Sequence, residues 1–182
     1  TGTNTEVKGK YAAFAEKLKT MGEYIQVVMN EPGQKGVQFI NNTVGGGPSQ
    51  YDLTAAEACG TMAGIQAKCG IEESATNRTV DHWTKVNPKL DRWQQQAKTA
   101  QGEILFVEKN HRVCVLYDIN SLTEFDADHP EDWRKNLVTR TLFTITADLE
   151  KLLSEKAVGK IRNSRDGRNQ IKGMCVKLIA EN

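Results

Sequence analysis

The apolar pattern of the chain changes at residue 103, and this change constrains the fold more than any other feature. Upstream, apolar residues recur three and four positions apart, as on the buried face of a helix. The clearest such set is Tyr11, Phe14, Leu18, Met21, Ile25 and Val28. Between residues 103 and 118, two apolar runs rich in β-formers flank Asn110-His111, which predicts a β-hairpin with both faces covered.

The remaining pattern predicts four helical regions. They cover residues 5–29, 54–68, 80–97 and 128–159, with Asn30-Glu31-Pro32-Gly33 ending the first and a Thr54/Glu57 capping box opening the second. A last strand is predicted over residues 174–179. We therefore expect an α+β fold in a single globular domain, residues 1–182, with the helical regions packed on a small antiparallel sheet formed by hairpin 103–118 and the C-terminal strand.

Composition excludes several classes of protein. The 182 residues are 38% apolar and 26% charged, as in a soluble globular protein. No apolar run approaches the roughly 18 residues of a membrane span. An intracellular location is favoured over a secreted one, although a chain that begins at Thr1 is expected to be a processed or trimmed product.

Charge is strongly polarised in the last third of the chain. Residues 118–132 contain six acidic residues and no Lys or Arg, whereas residues 156–177 contain seven basic residues and one Asp. A helix with acids at its start and bases at its end explains much of this polarity through the helix dipole. Arg165, Arg168 and Lys172 lie past the last turn of that helix, where the dipole no longer explains them. The candidate binding residues are these three together with Lys160 and Arg162 of the same basic run.

These features favour a non-enzymatic binding or assembly module whose basic C-terminal surface contacts nucleic acid, such as RNA, or another polyanion. A protein partner or self-association is also compatible with them. The first alternative is an extracellular or surface-exposed interaction protein with disulfides, because the chain has four cysteines and two glycosylation sequons, at Asn41 and Asn77.

The second alternative is a metal-dependent nuclease-like domain, active or inactive. His82, Asp91 and Glu103 occur in an order compatible with a divalent-ion site, but Leu105 stands where a catalytic Lys is needed. Ala15-Glu16-Lys17 and residues 139–145 resemble elements of the cap-snatching endonuclease domain of influenza-type polymerases. The resemblance covers about a fifth of the chain, and the metal motif Pro-Asp of that family reads Pro88-Lys89 here.

The usual catalytic fingerprints do not occur. The sequence contains no P-loop, nucleophile elbow, HExxH or EF-hand pattern, and the glycine triplet at 45–47 is interpreted as a flexible surface loop. Enzymatic activity is therefore not expected, no cofactor is predicted, and a metal is predicted only under the nuclease alternative.

Overall fold

The computed structural model describes residues 4–31 and 33–181, and the side chains from residue 9 onward. Pro32, which the sequence places in the stop of the first helix, lies outside the described residues. The chain divides into two compact units, Thr1–Thr139 and Arg140–Asn182, and the boundary falls inside the fourth α-helix. The expectation of one domain over residues 1–182 stays a prediction.

The first unit mixes short strands with helices. Its elements are α1 (Asn4–Thr20), β1 (Val27–Met29), β2 (Phe39–Asn42), β3 (Gly45–Gly47), α2 (Ala58–Lys68), β4 (Lys85–Asn87), α3 (Arg92–Ala100), β5 (Glu103–Ile104), β6 (Phe106–Lys109), β7 (Arg112–Val115), a 3-10 helix (Glu131–Arg134) and the start of α4 (Asn136–Lys156). The second unit contains the rest of α4 and α5 (Arg165–Glu181).

Three small sheets replace the single antiparallel sheet that the sequence predicted. β1, β2 and β5 form a parallel sheet in that order, β3 pairs with β4 antiparallel, and β6 pairs with β7 antiparallel. The α+β class is confirmed at this level. The predicted sheet is wrong because residues 174–179 lie in α5, and because β6 and β7 form a two-stranded sheet of their own. The parallel sheet was not predicted, since the helical spacing placed β1 at the end of helix one.

The hairpin itself is confirmed. Phe106 pairs with Val115 and Lys109 with Arg112, and the two turn residues, Asn110 and His111, have φ angles of 52° and 60°. Two successive left-handed residues are the geometry of a type I′ turn, which matches the twist of the strands it joins. Its apolar residues join the main core, which consists of Ile40, Val44, Ala58, Met62, Val80, Ile104, Leu105, Phe106, Val107, Val113, Cys114 and Val115.

Helix α1 ends nine residues earlier than predicted. Gly22 has a φ of 81°, its N–H bonds to the Lys19 carbonyl, and the Glu23 N–H bonds to the Leu18 carbonyl. This pair of hydrogen bonds is a Schellman motif, which ends a helix through a left-handed glycine. The apolar spacing that continues to Val28 therefore belongs to β1 rather than to a helix.

The predicted third helix and the glycine loop are also different in the structure. Only Arg92–Ala100 is helical in the 80–97 region, because residues 85–87 pair as β4 with the glycine triplet. The triplet is a buried strand, β3, rather than a flexible surface loop. A Cβ on Gly46 would lie 2.3 Å from the Lys85 carbonyl oxygen, so the close approach of the two backbones requires glycine there.

The C-terminal strand prediction is wrong, since residues 174–179 lie within α5. Short apolar runs fit either structure. The half-buried residues of α5, which are Ile171, Met174, Cys175 and Leu178, recur at helical spacing. The predicted turn at 164–167 is the start of this helix, where the Ser164 hydroxyl accepts the Gly167 N–H at 3.1 Å.

Candidate assembly surface

A groove of about 710 Å³ lies in the first unit between α3 and the β6–β7 hairpin. Its polar side is formed by Arg92, Gln95, Gln96 and Thr99 of α3 together with Arg134. Its apolar side includes Val107, Leu116 and Tyr117. We call this feature the α3 groove.

Two interactions fix the α3 side of the groove. Asp91 caps the helix, accepting the Gln94 N–H at 2.8 Å while the Gln94 side chain accepts the Asp91 N–H at 3.0 Å. Farther along, Lys98 forms an ion pair of 2.8 Å with Glu103 on β5, whose side chain is 3% exposed. Lys98 therefore lies against the sheet, and the groove residues occupy another face of α3.

Arg134 is the most unusual residue of the groove. One of its Nη atoms donates to the Thr99 carbonyl, whereas its Nε is buried and has no hydrogen-bond partner among the described residues. Burial lowers the pKa of Arg134, and the negative charge of Glu131 opposes this effect. Among the described residues this guanidinium forms no ion pair within 4.0 Å, so its charge is partly desolvated and is compensated at longer range by Glu131.

The other charges leave the groove positive. Lys109 donates to the Asn77 side chain at 3.2 Å, and Glu108 is already paired with Lys89 at 2.9 Å, which lowers the pKa of Glu108. Arg92 has no ion pair within the described residues. The groove thus offers cations whose charge is not neutralised within the unit.

Large aromatic side chains beside the groove are exposed. Tyr117 is 52% exposed, and Trp93, one helical turn before Gln96, is 79% exposed. Trp, Tyr and Arg are the residue types most enriched at the energetic centres of protein interfaces. The combination is typical of a protein-binding surface.

A second exposed feature of the first unit is the segment 124–128, which we call the acidic loop. It carries Glu124, Asp126 and Asp128 around Phe125, whose side chain is 44% exposed. Asp126 accepts the backbone N–H groups of His129 at 2.6 Å and Asp128 at 2.9 Å, and the first of these contacts is the main cause of its lowered pKa. Asp126 therefore both shapes the loop and keeps its negative charge.

The predicted binding cations all belong to the second unit and are exposed. Lys160 and Arg162 lie between α4 and α5, and Lys160 donates to the Glu155 carbonyl. Arg165, Arg168 and Lys172 follow on one side of α5, where Arg168 donates to the Asn163 side chain at 2.9 Å. Their assignment as binding residues remains a sequence-based prediction.

The three residues of the nuclease alternative have separate structural positions. Asp91 caps α3, Glu103 is buried beside Lys98 and accepts the Thr43 hydroxyl at 2.5 Å, and His82 is exposed in a turn with a φ of 67°. Across residues 4–31 and 33–181, no group of three or more His, Cys, Asp or Glu side chains is placed to hold a metal ion.

The structure also describes the residues on which the extracellular alternative rests. Cys59, Cys69, Cys114 and Cys175 form no disulfide within the described residues. Asn41 is fully buried, where its side chain donates to the Gln34 carbonyl and accepts the Glu31 N–H, so this sequon is inaccessible in the folded chain. Within the described residues, no helix combines the length and apolar character needed to cross a membrane.

Comparison with known proteins identifies the family. The family model for the phage tail sheath protein central domain matches residues 1–121. The phage-like element PBSX protein XkdK of Bacillus subtilis is 30% identical over 96% of this chain and 40% of its own length. The crystal structure of a sheath tail protein from Desulfitobacterium hafniense has a TM-score of 0.89 and 32% identity, over 99% of this chain and 43% of that chain. The anti-feeding prophage sheath, solved as a helical sheath in its contracted state, has a TM-score of 0.64 and 16% identity over 94% of this chain and 50% of that chain, which shows a shared fold.

The chain belongs to the phage tail sheath protein family. It spans about 40% of the length of the curated relatives it matches. The predicted polyanion-binding module is wrong, and the disulfide-bearing and nuclease-like alternatives, including the endonuclease resemblance, are overturned by the same family match.

Sequence reasoning missed the α3 groove because its residues come from three distant segments. The apolar spacing places Trp93 in the stripe of a third helix, although three glutamines follow it directly. A tryptophan followed by such polar residues is the sequence signal that could have predicted an exposed aromatic side chain at this position.

Proposed function

We propose that this chain is part of a structural subunit that associates with copies of itself in a tail sheath. The observation that carries the proposal is the family match over residues 1–121. The likeness to the Desulfitobacterium hafniense sheath tail protein over 99% of the chain supports it. The anti-feeding prophage protein of the same fold forms a helical sheath, so helical association is the assembly mode expected here.

The surface of the chain supports self-association independently of the family. Several large apolar side chains are more than 40% exposed on the first unit; they include Trp93, Tyr117 and Phe125. Exposed aromatic residues beside unpaired charges are typical of surfaces that become buried on association.

Sedimentation velocity of the 182-residue chain over a wide concentration range tests this function. The sedimentation coefficient is expected to rise with concentration, and electron microscopy of the most concentrated samples should show regular oligomers or short filaments. A reducing agent is kept in all samples because the four cysteines, which form no disulfide within the described residues, could otherwise cross-link the chain. A monomer at every concentration would contradict the proposal.

A further inference from the structure

We propose that the α3 groove of one copy binds the acidic loop of a second copy. This inference rests on the proposed self-association and names the two surfaces that would carry it. The groove supplies Arg92 and Arg134, and the loop supplies Glu124 and Asp128 on either side of Phe125.

The charges of the two surfaces are complementary. Arg92 and Arg134 form no ion pair within 4.0 Å in the described residues, whereas the acidic residues of the loop are exposed. A partly buried, unpaired guanidinium is costly, and a carboxylate from another chain offsets that cost through charge-assisted hydrogen bonds. The loop carries three such groups within five residues, with no basic residue among them.

The shapes and apolar surfaces also correspond. Leu116 and Tyr117, with the largely buried Val107, are apolar residues of the hairpin side of the groove, and Phe125 is an exposed apolar side chain placed between acids. A groove of about 710 Å³ is within the usual range for sites that accept side chains or small ligands. Phe125 can therefore contact Leu116 and Tyr117 while Glu124 and Asp128 approach Arg92 and Arg134.

The two surfaces are distinct parts of the same chain. None of residues 122–130 lines the α3 groove. A contact between two different surfaces is head-to-tail: every copy that fills a neighbour's groove leaves its own groove for a third copy. Such contacts build rings or open helical filaments rather than closed dimers, which is the type of assembly proposed above.

Charge-reversal variants test this pairing. Arg92→Glu places an acid in the first turn of α3, where the helix dipole tolerates it, and Glu124→Arg changes an exposed side chain. Each variant alone sets like charges against each other, so its association should be at least about tenfold weaker than that of the wild type. Phe125→Ala should weaken association without a change in charge.

Matched controls have the same charge changes elsewhere. Lys172→Glu on α5 and Glu72→Arg after α2 alter exposed side chains outside both surfaces. They should associate as the wild type does, and circular dichroism should show all variants folded. If the controls weakened association equally, the pairing would be overturned, because the effect would then come from the change in net charge rather than from these two surfaces.

Mixing the two reversal variants gives the sharpest result. The normal loop of the Arg92→Glu chain can fill the normal groove of the Glu124→Arg chain, and the other junction has both charges reversed and is again complementary. An equimolar mixture, and the double variant R92E/E124R, should therefore regain association. Failure of both to do so, or wild-type association of each single variant, would overturn the groove–loop pairing while self-association of the wild type stands. A monomeric wild type would overturn both proposals.

Discussion

The two units cover their apolar side chains very differently. The first unit fully buries a core that includes Ile40, Met62, Phe106 and Val115. In residues 140–181, by contrast, Ala157 and Gly167 are the only buried residues. The predicted buried stripe of α4, including Leu142, Ile145 and Leu149, is half-buried throughout. Full burial of such side chains stabilises by about 1.5–3 kcal/mol each, so the second unit gains much less per residue. Apolar periodicity therefore identifies a helix face but does not show how completely that face is covered.

The largest expected effect concerns the glycine strand of the first unit. In Gly46→Ala, the new Cβ would meet the Lys85 carbonyl oxygen and the Val86 Cα, at a residue whose φ is 148°. Both neighbours are backbone atoms of β4, so the loss in unfolding free energy should be about 3 kcal/mol or more. Urea unfolding followed by tryptophan fluorescence measures it, because all three tryptophans lie in the first unit.

A second glycine serves as the control, because it distinguishes a clash with neighbouring backbone from a general effect of replacing glycine by alanine. Nothing lies within 4 Å of a Cβ at Gly64, in the middle of α2. Gly64→Ala should therefore stabilise the first unit by about 0.5–1 kcal/mol through helix propensity. Similar unfolding midpoints for the two variants would contradict the requirement for glycine in β3.

The next effect concerns a buried polar cluster around Asp118. Its Oδ1 accepts hydrogen bonds from Gln66 at 2.7 Å and Asn136 at 2.8 Å, and its Oδ2 accepts the Ala75 N–H at 2.9 Å. Asp118→Asn replaces one accepting oxygen by a donor and leaves a buried donor unsatisfied, which should cost about 2 kcal/mol. The same urea titration measures it, with Asp81→Asn at an exposed position as the control. If the two variants unfold alike, the Asp118 cluster is not a main support of the first unit.

The sequence predicted local structure better than it predicted pairing between segments. The 110–111 turn and the Thr54/Glu57 pair depend on neighbours in the chain. The structure confirms the hairpin and the reciprocal Thr54–Glu57 contacts, but α2 begins at Ala58 rather than at residue 54, and its N-cap, Glu57, makes no side-chain cap hydrogen bond. The parallel pairing of β1 with β2 requires that α1 end at Gly22. The sequence could not show this, because the apolar residues of a three-residue strand also fit the spacing of a continued helix. The α3 groove brings together residues 92, 107 and 134, which are far apart in the chain, so no local sequence pattern could predict that they lie close together. The charge polarity of the last third of the chain led to the wrong prediction of nucleic-acid binding, because a charged surface does not by itself identify its partner.

A smaller, local effect is expected in the second unit. A Cβ on Gly167 would lie 2.1 Å from the Arg162 carbonyl oxygen, but residues 162–166 are exposed and can shift. Gly167→Ala should therefore lower the local stability of α5 by about 1–2 kcal/mol, seen as faster amide hydrogen exchange in that helix. Gly173→Ala, with nothing within 4 Å, should slow the same exchange. A change in the tryptophan-monitored unfolding as large as that of Gly46→Ala would contradict the contrast between the units.

The smallest expected effect is the pH dependence of the Thr54/Glu57 pair in the turn that leads into α2, which tests whether surface hydrogen bonds add to the stability of the first unit. The Glu57 carboxylate accepts the backbone N–H and the hydroxyl of Thr54, both at 2.8 Å, and these bonds lower the pKa of Glu57. A lowered pKa in the folded chain means that the stabilisation is present above the unfolded-state pKa and is lost as pH falls through the folded-state value. Glu57→Gln cannot titrate, so the wild type should be the more stable protein at about pH 6, and the two urea midpoints should converge at about pH 3. Glu72→Gln, at an exposed position on the loop after α2, serves as the control for a general effect of removing one carboxylate. A difference between wild type and Glu57→Gln that is the same at both pH values would show that the charged form of Glu57 does not stabilise the turn before α2.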